Sequence, residues 1–161
     1  MRSISNDAVE MIQSFEGLEL AAYRCSAGVL TIGYGHTGPD VSEGMRITKE
    51  EADSLFDKDI GFFEKEVDLL TRELDLPQCQ FDALVSFAYN LGVSSLQRST
   101  LFKHVRNRDS AAAAKEFMKW VNAKGKPVKG LFARRGAEAA MFEGRDWADG
   151  REEGVEMFMA R

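Results

Sequence analysis

Three side chains near the amino end have types and spacing suited to acid catalysis at a sugar. Eight residues separate Glu16 from Cys25, and five separate Cys25 from Thr31. Breaking a glycosidic bond needs a proton donor beside the leaving oxygen. It also needs a second group across the ring to handle water or act as nucleophile. Glu16 suits the first role, and Cys25 and Thr31 suit the opposite face. A lone glutamate at a helix end is ordinarily a solvated surface group. What raises Glu16 above that is the turn and strand that follow it, which can fold over it as one wall of a cleft.

Those residues need elements to position them. Ser5, Asn6 or Asp7 can cap a helix carrying Val9, Ile12 and Phe15, and Gly17 is a natural stop. Glu16 then sits at a helix C-terminus, where the negative dipole end disfavours an ionised carboxylate unless a cation lies near. Residues 20–23 and 29–35 read as strands about a turn at Ser26-Ala27-Gly28. Gly33 and Gly35 mark a bulge or a close backbone approach.

Further along, Thr48 and Glu51 form a capping box. It opens a long helix with Ala52, Leu55, Phe56, Ile60, Phe63, Val67 and Leu70 at helical spacing. Its phenylalanines read as core rather than as a ligand site. After Pro77, residues 78–91 are apolar on most faces and predict a central buried helix ended by Gly92. Helices are expected near 99–106, 110–122 and 131–142, with a loop at Gly125-Lys126-Pro127. The tail from Glu143 contains Gly144, Gly150 and Gly154 and reads as frayed, or as a loose helix around Val155, Met157 and Phe158.

The chain has 161 residues and a net charge of -5. An acidic balance argues against general nucleic-acid binding. Attraction to a polyanionic wall would need a local basic patch, which Lys115, Lys119, Lys124, Lys126, Lys129, Arg134 and Arg135 could supply, although a solvated face explains them equally well. Two cysteines and two histidines show no metal-ligand spacing, so no metal and no cofactor are expected. Pairing of Cys25 with Cys79 is disfavoured by synthesis in the cytoplasm. No run approaches a membrane span, and the first residues lack the apolar stretch of a signal peptide. The chain is therefore expected to be made in the cytoplasm and to stay there unless something else releases it, with no stable membrane insertion.

Phe15-Glu16-Gly17-Leu18, Tyr23, Cys25, Gly28 and Thr31-Ile32-Gly33-Tyr34-Gly35-His36-Thr37-Gly38 together resemble the phage lysozymes of glycoside hydrolase family 24. That signature is Glu, eight residues, Asp or Cys, five residues, Thr. The resemblance continues through 47–52, 55–59, 80–92, 99–101 and 130–135, with Glu138, and covers roughly residues 5 to 145.

The resemblance implies an α+β, lysozyme-like, mostly helical fold. A small β-sheet lobe and a larger helical lobe would hold the glycan in the cleft between them. One domain would span 1–161, with the small lobe and linking helix at about 17–60, the helical lobe at about 61–145 and a tail at 146–161. The implied activity is that of an endolysin muramidase, cutting peptidoglycan between N-acetylmuramic acid and N-acetylglucosamine, usually with inversion. Carried over by position, Glu16 is the general acid, Cys25 stands where many members have an Asp that handles water, and Thr31 helps hold that water. Tyr89 and Asn90 line the glycan groove, Arg134 approaches the catalytic glutamate, and His36 and Asp59 form a structural ion pair. A monomer acting on peptidoglycan is implied, with a holin as the partner that releases it.

Cys25 departs from the commoner carboxylate. An ordinary thiol, with a pKa near ~8.5, is mostly neutral at pH 7. It could act as thiolate base, attack the anomeric carbon with retention, position water only, or be a small buried residue with no part. Two other readings follow: a lytic transglycosylase, which needs only one catalytic acid, and a peptidoglycan-binding module that has lost catalysis.

Overall fold

The computed structural model describes residues 1–161. Helix α1 spans Asn6–Glu16, and its N-cap is Ser5, whose hydroxyl accepts from the Ala8 N–H. Asp82 holds that cap in turn, accepting from both the Ser5 N–H and hydroxyl. Gly17 closes the helix at φ 71°, a conformation open chiefly to glycine.

A three-stranded antiparallel sheet follows, built from β1 (Glu19–Arg24), β2 (Leu30–Gly33) and β3 (His36–Thr37). Thr31 in the middle strand pairs with Tyr23 on one side and Thr37 on the other. Gly33 and Gly35, at φ 66° and 82°, make the tight turn into β3, so the structure has a chain reversal where the sequence suggested one strand through residue 35.

The capping box at Thr48 and Glu51 is formed in both directions and starts α2 (Lys49–Thr71). This helix runs from the sheet into the helical body. There α3 (Gln78–Leu91) is buried without interruption from Phe81 to Ala88. Helices α4 (Val93–Arg98), α5 (Thr100–Arg106) and α6 (Ser110–Glu116) wrap around it. The predicted helix through residue 122 instead tightens into a 3-10 turn at Phe117–Lys119. A small hairpin follows, β4 (Asn122–Ala123) with β5 (Lys126–Pro127). Its turn residues Lys124 and Gly125 both have positive φ, as a two-residue hairpin loop demands.

Helix α7 (Lys129–Phe142) brings the chain back behind the sheet side, and α8 (Trp147–Met159) packs along it. The expectation of a loose tail is thus corrected. Asp146 caps α8. Gly136, Gly150 and Gly154 let the two backbones touch: a Cβ at Gly154 would overlap the Phe132 carbonyl. Glycines that read as helix breakers are the surface on which α8 docks. Trp147 then reaches α1, donating to Asp7 at 3.3 Å and leaning on Phe15. The fold is α+β and mostly helical, with the small sheet on one side of a cleft and the helical body on the other.

Candidate active site

Three helices and the sheet converge on a cleft of about 450 Å³. Glu16 enters from the end of α1, Gly35 and Thr37 from the sheet, Lys58, Asp59, Phe62 and Phe63 from α2, and Tyr89 and Asn90 from α3. The four α2 positions lie one turn apart in pairs, so one helix stripe lines the wall. Phe63, expected in the core, packs against it and also lines the cleft, and Phe62 is exposed there.

Glu16 is tied down on one side only. Its Oε2 accepts from Arg134 Nη1 at 2.7 Å, and its side chain is 19% exposed. Its Oε1 faces Gly35, where a Cβ would come within 2.7 Å. Glycine at 35 is therefore needed twice, for its positive φ and for room beside the carboxylate.

Behind Glu16 lies a buried charge network. Arg134 Nε reaches Glu138 at 3.3 Å, and the Ser86 hydroxyl donates to the same carboxylate at 2.5 Å. Arg135 Nε is 3.1 Å from Glu138 Oε1, close enough for an ion pair but poorly aligned for a hydrogen bond. Burial pushes the Arg135 guanidinium down, and Glu138 opposes that shift. Arg135 also donates to the Asn90 side-chain oxygen, which orients Asn90 at the cleft. Neither arginine therefore belongs to a surface basic patch. Lys119 is paired with Glu116, which leaves Lys115 and the hairpin and helix-start lysines 124, 126 and 129 as the exposed positive charges of that stretch outside an ion pair.

Tyr89 is fixed by donating to the Tyr34 carbonyl at 3.0 Å. Burial, then the negative charges of Glu16 and Asp59, push its phenol up, so it stays a neutral donor. His36 is held between two carboxylates, with Nδ1 2.7 Å from Asp59 and Nε2 3.0 Å from Asp40. Asp40 was not legible from the motif; only its position four residues after His36 hinted at it. Burial works to lower the His36 pKa, but hydrogen bonds and charge from Asp59 and Asp40 outweigh it and raise the value.

Cys25 and Thr31 are brought together by the β1–β2 hairpin. The Cys25 N–H donates to the Val29 carbonyl at 3.0 Å, and the Thr31 hydroxyl donates to the same carbonyl at 2.9 Å. The backbone N–H groups of Val29 and then Ala27 hold the Cys25 thiol below its ordinary value. Partial burial opposes them, and the Thr31 hydroxyl adds to the lowering. Both cysteines are free. Neither Cys25 nor Thr31 lines the cleft that holds Glu16. Tyr23 pairs with Thr31 across the sheet, and its phenol is raised by burial first and then by Glu19, Cys25 and Glu16. No cluster of three or more His, Cys, Asp or Glu side chains is arranged to hold a metal ion.

Comparison with known proteins shows the family and the fold. The phage lysozyme family model matches residues 13–138. An endolysin of Acyrthosiphon pisum secondary endosymbiont phage 1 is 40% identical over 87% of this chain and 97% of its own length. An endolysin of Bacillus phage B103 is 42% identical over 87% of this chain, which spans only 54% of that longer relative. Among solved structures, the muramidase domain of SpmX from Asticaccaulis excentricus superposes with a TM-score of 0.79 at 35% identity, covering 88% of this chain and 98% of that one. The chain belongs to the phage lysozyme family, a family of glycoside hydrolases.

Proposed function

We propose that the chain is an endolysin muramidase, hydrolysing the β-1,4 bond between N-acetylmuramic acid and N-acetylglucosamine with Glu16 as general acid. The observation that carries this is the one-sided tethering of Glu16. Arg134 occupies Oε2 and fixes the side chain, while Oε1 lies beside Gly35 in the wall of a cleft of about 450 Å³. Oε1 is then the atom that passes a proton to the leaving glycosidic oxygen. Water attacks the anomeric carbon from the sheet side and passes its proton to the Cys25 thiolate, which sits with the Thr31 hydroxyl outside the lining of that cleft. Tyr89 and Asn90 help hold the glycan.

One observation favours a lytic transglycosylase as the second reading. Apart from Glu16, the only carboxylate lining the cleft is Asp59, and His36 engages it. A single free acid suffices when the muramic acid 6-hydroxyl attacks in place of water.

The test is digestion of purified sacculi by the wild type and by Glu16→Gln. New reducing ends from the wild type alone support the muramidase. Products carrying a 1,6-anhydro ring, told apart by mass, replace it with the transglycosylase. Binding without any turnover would leave a glycan-binding module. Release by a holin is an expectation of the family resemblance and rests on no residue of this chain. No helix is long and apolar enough to cross a membrane.

A further inference from the structure

An aromatic ladder runs from the core to the mouth of the cleft. Ring centroids lie 5.7 Å apart for Tyr34 and Phe56, 5.8 Å for Phe56 and Tyr89, 5.3 Å for Tyr89 and Phe63, and 5.2 Å for Phe63 and Phe62. Exposure rises along it, from 2% at Phe56 through half-buried Phe63 to 56% at Phe62. Phe62 meets Phe63 at 87°, so the two rings do not stack and at least one face of Phe62 is left free.

A single exposed apolar side chain is ordinary on a protein surface. Phe62 differs in two ways. It is braced by four rings reaching back to the core, and it lines the same cleft as Glu16. Its neighbours there are hydrogen-bonding groups, with Lys58 and Asp59 one turn earlier on α2 and Asn90 on α3. Lys58 has no ion-pair partner within 4 Å. A free aromatic face ringed by donors and acceptors matches a pyranose, which has an apolar C–H face and polar edges. A lipid or an apolar peptide would not use the polar groups.

We propose that Phe62 is the platform of a glycan subsite, stacking on the C–H face of one N-acetylhexosamine ring, with Lys58 and Asn90 placed to meet that ring's polar edge. The proposal rests on the reading of this cleft as the site that binds the glycan strand. A stacking platform that touches no reacting atom binds ground state and transition state alike. Its loss therefore acts on KM rather than kcat.

The test uses the full chain, with peptide-free and peptide-bearing glycan strands as the two probes. Binding is measured in the Glu16→Gln background with Phe62 intact, with Phe62→Ala and with Phe62→Trp. Turnover is measured in the same Phe62 variants with Glu16 present. Phe62→Ala should weaken binding about tenfold and raise KM by a similar factor, with kcat within about twofold and the melting temperature unchanged. Phe62→Trp should retain affinity, and the emission of its added indole should shift on binding. Unchanged Kd and KM in Phe62→Ala, while the wild type still releases glycan fragments, would overturn the subsite and leave the enzyme reading standing. A loss seen only with peptide-bearing strands would reassign Phe62 to the stem peptide and overturn the proposal. Absence of both strand binding and fragment release in the proteins with Phe62 intact would remove the enzyme reading and the subsite with it.

Discussion

Arg134 Nη1 and Glu16 Oε2 lie 2.7 Å apart, although the two residues are 118 positions apart along the chain. The arginine side chain is only 5% exposed and also serves Glu138, which is fully buried. Removing one partner of a buried pair leaves the other charge uncompensated, at a cost of about 3–5 kcal/mol. Arg134→Ala should therefore lower the urea midpoint sharply and abolish sacculus digestion. Arg134→Lys keeps the charge but loses the forked geometry that reaches both carboxylates. It should recover part of the stability and little of the turnover. Wild-type stability in Arg134→Ala would show that the network is not structural.

Cys25 gives the site an expected pH limb. The N–H groups of Val29 and Ala27 favour the thiolate, so the thiol ionises below the ordinary range near ~8.5. If the thiolate activates water, turnover rises with pH through that lowered value. Cys25→Ser should flatten the limb and Cys25→Asp should move it to acid pH. A profile from pH 6 to 9 that is identical in the wild type and Cys25→Ser, and insensitive to thiol alkylation, would assign Cys25 a packing role.

His36 links stability to pH. Its folded-state pKa is raised by Asp59 and Asp40 over the opposing effect of burial. In the unfolded chain it titrates near ~6.5. The ion-paired form therefore contributes fully below that value, and the contribution fades as pH rises through the raised folded-state value. His36→Asn should cost about 1 kcal/mol at pH 6, a magnitude ordinary for a partly exposed ion pair, and little once the wild-type histidine is neutral. Urea midpoints of both proteins across pH 5 to 10 measure the gap. A gap that stays constant with pH would contradict the linkage.

Two glycines inside helices should respond oppositely to alanine. A Cβ at Gly154 overlaps the Phe132 carbonyl, so Gly154→Ala forces α8 away from α7 and should cost about 1–3 kcal/mol. At Gly61, within α2, an added Cβ would meet nothing within 4 Å. Gly61→Ala should stabilise the protein by about 0.5–1 kcal/mol through helix propensity. Thermal melts of the two variants decide both.

Local rules made much of this legible in the sequence. The Thr48–Glu51 capping box and the Gly17 stop are short-range chemistry, so they could be read directly. The buried run of α3 was equally plain from its apolar content. What escaped needed knowledge of a partner element. Gly150 and Gly154 lower helix propensity in isolation and become docking points only once α7 lies against them. The apolar spacing of α2 picked out its core stripe, yet Phe62 and Phe63 face a cleft that exists only after α3 and the sheet assemble. The motif marked Glu16, Cys25 and Thr31 but could not reveal that Glu138 joins two arginines behind the first of them.

The brace between Trp147 and Asp7 ties α8 to the helix that carries Glu16. A ribosome adding about 5–20 residues per second needs roughly 7–28 s to travel the 140 positions between them. The glutamate is thus among the first groups made, while its guanidinium and its indole brace arrive near the end. A chain still being translated, or cut short before α7, carries the acid without the parts that hold it in place. The order of synthesis leaves Glu16 without its Arg134 tether until α7 has been made.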